Sequence, residues 1–297
     1  MVEHKMRVGG VPEHFNAPWH IASGKGCFKA HNVDVQWTEY PGGTGDMCKA
    51  VSKGDVDVAI MLTEGALVQA LKDPKIKIVG VYVSTSAIWG IHAGAESCSQ
   101  SDIKDMRDVA TFAISRFGSG SHLMSFVLAE SLGWKPDSLK FEVVGGLAGA
   151  REKLPEDGSL VFMWEKFTTL PCVVDGTFKR VGEFPTPWPF FIVAANADYL
   201  ESSFARQDLQ NVLKVVRDEA NLFKNGGQET LDYIQKVYKI QPEAGAEWLK
   251  TVEWACSPVV DLDMLFRVGE TLHRLGKIDS EKAPTREEIE SSAVLKL

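Results

Sequence analysis

The segment ISRFGSGSHLMSF, residues 114–126, passes from an apolar strand-like run into an apolar helical run through two glycines, serines and one arginine. A helix start leaves backbone N–H groups unpaired and carries a partial positive charge, which suits an anion. Gly118 and Gly120 let the backbone approach closely, Ser119 and Ser121 add hydroxyl donors, and Arg116 offers a planar fork for a carboxylate, sulfonate or phosphate. The alternative is plain capping, in which Ser119 or Ser121 closes its own helix. No GKS or GKT follows, so this is not a phosphate loop, and Leu123 stands where a dinucleotide fingerprint needs its third glycine.

Three further joints carry polar groups. In PGGTGDM, residues 41–47, Gly42, Gly43 and Thr44 offer N–H and hydroxyl groups, whereas Asp46 repels an anion and favours capping. Thr63 and Glu64 open another helix, with Thr63 expected as its N-cap and an acid in the first turn as the ordinary alternative. In HFNAPWH, His14, Phe15, Asn16, Trp19 and His20 combine rings and an amide suited to a flat ligand with a polar edge, or simply to core packing. Trp164 and Glu165 close the strand-like run LVFMWEK, an end expected to face a cleft; the alternative is a packing tryptophan beside a solvated acid. HExxH, GxSxG and paired cysteines are absent, and His14 and His20 do not share a helix face cleanly. No metal, cofactor or catalytic set is expected.

The elements that must position these residues repeat as strand, helix, strand. MRVGGV, VDVQWTEY, DVDVAIML and KIKIVGVYV read as strands separated by short helices; DVATFAIS, LKFEVVGG and SLVFMWEK form a second set over roughly residues 95–183. This alternation implies α/β architecture with parallel sheets and right-handed crossovers. An extended return segment, EFPTPWPFFIVAANADYL, leads into a helical remainder, where Leu209, Val212, Leu213, Val216, Ala220 and Phe223 line one face. The expected organisation is bilobed: residues 1–90 and 190–297 in a first lobe, 91–189 in a second, with linkers near 84–94 and 184–194 as a hinge and the ligand pocket between lobes.

Length and composition bound the function. With 297 residues and 44% hydrophobic content, the chain can bury a full core. A net charge of −8 argues against a nucleic-acid partner while leaving room for a local basic pocket. No apolar run is long enough to span a membrane, and the N-terminal residues lack a secretory pattern, so a cytoplasmic location is expected. Five cysteines placed singly suggest buried thiols rather than disulfides.

APWHIASGKGCFKAHNVDVQW, PGGTGDMCKAVSKGDVDVAI, ISRFGSGSH and LGWKPDSL together resemble the type-II periplasmic substrate-binding proteins, in the branch that binds sulfonates, taurine and thiamine precursors. The resemblance covers about residues 6–200. It implies a hinged two-lobed trap for a small molecule, and places Asn16, Trp19, Gly43, Thr44, Thr63, Glu64, Ser84, Arg116, Ser119, Ser121, Trp164 and Glu165 at its cleft. The expected function is capture of a small anionic or zwitterionic metabolite, as carrier or sensor; lack of an export signal or anchor argues against a transporter partner. The same fold resembles the eukaryotic thiamine-pyrimidine synthase, whose lysine and histidine would fall at Met61 and Gly65 and whose cysteine run would fall around PTPWPFF. With those groups unmatched, the enzyme is the weaker alternative. An interaction protein with a vestigial cleft is a second.

Overall fold

Apolar and polar residues alternate in a computed structural model that describes residues 3–297, and two mixed sheets flanked by helices result. The residues divide into two units: unit 1 runs through Thr85, then takes Trp188–Thr230 and Thr251–Leu297, while unit 2 comprises Ser86–Pro187 and Leu231–Lys250. The sequence assigns all of 190–297 to the first lobe; residues 231–250 instead cluster with the second unit.

Unit 1 begins β1 (His4–Gly10), α1 (Ala17–Gly24), β2 (Val33–Glu39), α2 (Thr44–Lys53), β3 (Val58–Leu62), α3 (Thr63–Ala70) and β4 (Ile76–Val83). In unit 2 come β5 (Ile88–Gly94), β6 (Thr111–Ile114), α4 (Gly120–Ser131), β7 (Lys140–Val143), α5 (Leu147–Lys153), β8 (Leu160–Glu165), α6 (Leu170–Val174) and β9 (Phe178–Pro185). The chain returns to unit 1 with β10 (Phe191–Asn196), α7 (Ala197–Leu200) and α8 (Ala205–Lys224); α9 (Gln228–Tyr238) and α10 (Pro242–Thr251) follow, then β11 (Trp254–Ser257), α11 (Leu262–Arg274) and α12 (Arg286–Glu288). No helix among the described residues is long and apolar enough to cross a membrane.

The unit 1 sheet has the order β11-β4-β10-β3-β1-β2, and the unit 2 sheet the order β7-β6-β8-β5-β9. Both are built alike. In each, the first strand pairs in parallel with the second and third (β1 with β2 and β3; β6 with β7 and β8), and an antiparallel strand intervenes before the fourth. The purely parallel sheets expected from the sequence are therefore corrected: β10 inserts between β3 and β4, and β5 between β8 and β9.

The chain passes between the units at Thr85/Ser86 and Pro187/Trp188, inside the expected linkers, but most of those segments is not loop. Ile88–Gly94 is a strand whose Trp89, Ile91 and Ala93 are buried, and Phe191–Asn196 is buried throughout, so the expected hinge segments are largely sheet. Residues that are apolar on both faces belong to inner strands rather than to connections. The helical remainder follows its predicted face, with Leu209, Val212, Leu213, Val216, Ala220 and Phe223 of α8 all buried. In unit 2 a core forms from Ala113, Leu154, Leu160, Phe162, Cys172 and Phe178.

Candidate functional site

Strand order decides where a ligand can be held. In each sheet the chain leaves the first strand for a neighbour on one side and then crosses to the other side, so helices diverge and leave a crevice at the carboxyl ends of the first and third strands. Of the residues singled out from the sequence, Asn16 beyond β1 and Thr63 with Glu64 after β3 in unit 1, and Arg116 to Ser121 after β6 and Trp164 with Glu165 at the end of β8 in unit 2, lie at such ends, whereas Gly43 and Thr44 follow β2, Ser84 follows β4 and Trp19 lies within α1.

In unit 1 Glu64 is 0% exposed. Its Oε2 accepts the Trp188 indole N–H at 2.9 Å, and its Oε1 has no hydrogen-bond partner among the described residues. Burial pushes the carboxyl up to about 7, against the lowering effect of Trp188. Trp188 reaches this face because β10 runs antiparallel to β3 and so begins where β3 ends. Its only mark in the residues is a tryptophan set between Pro187 and Pro189.

Asn16 follows β1, the parallel neighbour of β3, at the same end of the sheet. It is fully buried, its Nδ2 donates to Val11 O at 2.8 Å, and its Oδ1 has no partner among the described residues. A β-carbon on Gly10 would lie 2.4 Å from the Trp37 ring and 2.9 Å from Asn16 Nδ2, so glycine is what lets both side chains close over β1. Trp19 is buried against Phe28, Trp37 and Tyr82, a core position, and the indole nitrogens of Trp19 and Trp37 have no hydrogen-bond acceptor among the described residues. Burial drives His14 down to about 3, so its imidazole is neutral at physiological pH.

The neighbouring joints serve the frame. Gly43, at φ +74°, makes the left-handed turn into α2, and Thr44 Oγ1 accepts Leu62 N–H at 3.1 Å. Thr63 is not the expected N-cap: Leu62 takes that place, and the Thr63 hydroxyl donates to Pro189 O at 2.5 Å. Its β-branched side chain thereby fastens α3 to the segment that carries Trp188. Ser84 is exposed, and its N–H donates to Glu253 O at 2.9 Å. Met61, fully buried, meets Cys48, and a β-carbon at Gly65 would sit 2.8 Å from Thr44 Cγ2.

In unit 2 the serines are turned inward. Ser119 caps α4, its Oγ accepting His122 N–H at 3.3 Å; Ser121 Oγ accepts Ser115 N–H at 3.1 Å and lies 3.1 Å from Ser119 Oγ. Both serines are 3% exposed: the Ser119 hydroxyl caps its own helix, and the Ser121 hydroxyl ties α4 back to Ser115. Gly118, exposed at φ +79°, donates its N–H to His122 Nδ1 at 3.0 Å, while Gly120 is buried and Arg116 half-buried. His122 is not among the residues that the sequence singles out. Its ring is enclosed by Phe117, Phe126 and Phe141, edge to face at 4.9–5.3 Å.

Glu165 is the counterpart of Glu64 at the end of the third strand. It is 3% exposed, and its Oε2 accepts Phe167 N–H, Thr168 N–H and the Thr168 hydroxyl at 2.8–3.0 Å. Burial dominates these bonds and pushes it up to about 7. Beside it Trp164 is half-buried, one face stacked on Phe162 at 5.3 Å. Among the described residues no three His, Cys, Asp or Glu side chains gather as a metal ion requires.

Known proteins share this architecture. Residues 89–184 match the family model described as Ca3427-like PBP. The Candida albicans CA3427 gene product, described as defining a new family with the generic periplasmic binding protein fold, is 27% identical, with 98% of this chain and 96% of that one aligned at a TM-score of 0.88. The alkanesulfonate-binding protein SsuA of Xanthomonas axonopodis pv. citri is 12% identical over 95% of this chain and 97% of that one, at 0.75. The periplasmic nitrate-binding protein NrtA of Synechocystis PCC 6803 is 14% identical over 99% of this chain and 86% of that one, at 0.73. No curated protein matches the sequence. The chain therefore has the periplasmic-binding-protein fold, in the form shared by the CA3427 product and the SsuA-type proteins.

Proposed function

We propose that this protein binds a small zwitterionic metabolite, as a carrier or sensor and without catalytic turnover. The observation that carries the reading is Glu64: a fully buried carboxyl with one oxygen held by Trp188 and the other without a partner, at the strand ends where this topology leaves its crevice. Leaving a buried acceptor unpaired costs about 1–3 kcal/mol, which a ligand N–H would recover. Asn16 Oδ1 is a second acceptor of the same kind, so the group read here is a donor-rich nitrogen. Within unit 2, an acidic group is assigned to Arg116 and the N-terminal turn of α4, where Gly118 is exposed, and a flat or apolar group to the half-buried Trp164.

The solved relatives are described as binding sulfonate, nitrate or a phosphonate, which supports a small ligand with an anionic end. Met61 and Gly65 are packed where the synthase resemblance would need a lysine and a histidine, which supports binding rather than chemistry. A thermal-shift screen of the full chain with amino acids, amino-sulfonates and amino-pyrimidines, beside their amine-free analogues, tests the reading. A zwitterion present at a hundred times its dissociation constant should add about 2.7 kcal/mol, and its amine-free analogue much less. Equal response to both would remove the role given to Glu64.

A further inference from the structure

A second concave site lies at the opposite end of the unit 2 sheet from Ser119. Lys140 opens β7 and pairs in register with Thr111, the first residue of β6, so the amino ends of these two strands meet. Just before β6, Arg107 reaches across to donate to Gly133 O at 3.2 Å, which draws the turn after α4 onto the same edge. The result is a cavity of about 430 Å³ lined by Arg107, Asp108, Ala110, Lys135, Ser138 and Lys140. Arg107, Lys135 and Lys140 have no ion-pair partner among the described residues, although Asp108 lines the same cavity.

Part of this charge has a structural use. Arg107 on the Gly133 carbonyl complements the carboxyl-terminal end of α4. The two lysines make no such bond. Three cations gathered around one concavity repel one another, and a bound anion relieves that repulsion. The site is unexpected in a chain of net charge −8, where scattered surface charge would give an acidic surface instead.

The lining also selects. It holds no aromatic ring on which a base could stack, since Trp134 next to Lys135 is buried, packed against Phe112. The volume falls in the range of small-molecule pockets rather than that of an extended peptide interface. We propose that Arg107, Lys135 and Lys140 form a binding site for a small non-aromatic polyanion, of the pyrophosphate or polycarboxylate class, distinct from the strand-end site of the proposed function.

Calorimetric titration of the full chain with pyrophosphate, and separately with citrate, at fixed ionic strength tests this. Saturable binding is expected for at least one, weakened at least about tenfold in a Lys135→Gln/Lys140→Gln variant and weakened again by added chloride. Both lysines are exposed, so the variant should melt with the wild type in the absence of ligand. The choice between the two probes fixes the class. No saturable binding at millimolar concentration of either, or affinity unchanged in the double variant, would overturn the proposal. So would binding that is lost in Arg116→Ala but kept in the lysine variant, because that locates the anion at α4. Preference for an acidic peptide over both probes, with the same dependence on the lysines, would overturn the small-ligand assignment in favour of a protein partner.

Discussion

Trp188 and Glu64, 124 residues apart, are joined by an indole N–H to carboxylate hydrogen bond of 2.9 Å in the interior of unit 1. The bond holds the Glu64 carboxyl below the value that burial alone would give. Trp188→Phe keeps most of the packing and removes the donor. It should cost about 1–3 kcal/mol in chemical denaturation, with the larger loss at the higher pH, where more of the carboxyl is charged. An equal loss at all pH values would mean that packing alone is at stake.

Glu64 also sets a pH dependence. Its folded value of about 7 lies above the ordinary 4.5, so the folded chain binds the extra proton and its stabilising contribution is complete below about 4.5 and lost as pH rises through about 7. Glu165 shifts in the same direction and adds to the decline. Glu64→Gln should remove its share: wild type loses up to about 3 kcal/mol per carboxyl between the two values, and the variant visibly less. Parallel stability profiles for wild type and variant would show that Glu64 does not titrate there.

The α4 start separates two roles. Ser119→Ala removes a cap and should lower ligand-free stability by about 1 kcal/mol, measured by denaturant titration. Arg116→Ala should instead weaken ligand binding by at least about tenfold, the loss expected for a charged hydrogen bond. Unchanged affinity in the arginine variant would remove it from the site.

Gly10 gives a steric test of the unit 1 face. A methyl there meets the half-buried Trp37 ring at 2.4 Å and Nδ2 of the fully buried Asn16 at 2.9 Å, so one or both must shift. Gly10→Ala should cost about 1–3 kcal/mol and reduce ligand affinity at the same time, because Asn16 is displaced. Destabilisation with full affinity would place Asn16 in the frame only.

Much of this was legible in the residues. Alternation marks most strands of both units and glycines mark their ends, which puts Asn16, Glu64, Arg116 and Glu165 at strand termini from the residues alone. What periodicity does not encode is the partner of a strand. Ile88–Gly94 and Phe191–Asn196 carry the same apolar signal as a connecting segment packed on a core, and their antiparallel neighbours lie far away in sequence. The role of Trp188 is hidden in the residues for that reason, since it depends on β10 entering the sheet beside β3. The serines at 119 and 121 illustrate a different limit: one residue type serves capping and ligand binding equally well, and the bonds that make Ser119 a cap and tie Ser121 to Ser115 are not encoded in residue type.

Equilibrium dialysis of the full chain against a mixed metabolite extract, read by mass spectrometry, tests the central claim most directly. The account predicts that a small zwitterion accumulates in stoichiometric amount with the wild-type protein and is lost from both Glu64→Gln and Arg116→Ala. Accumulation of no compound, or of one retained equally by both variants, would contradict it.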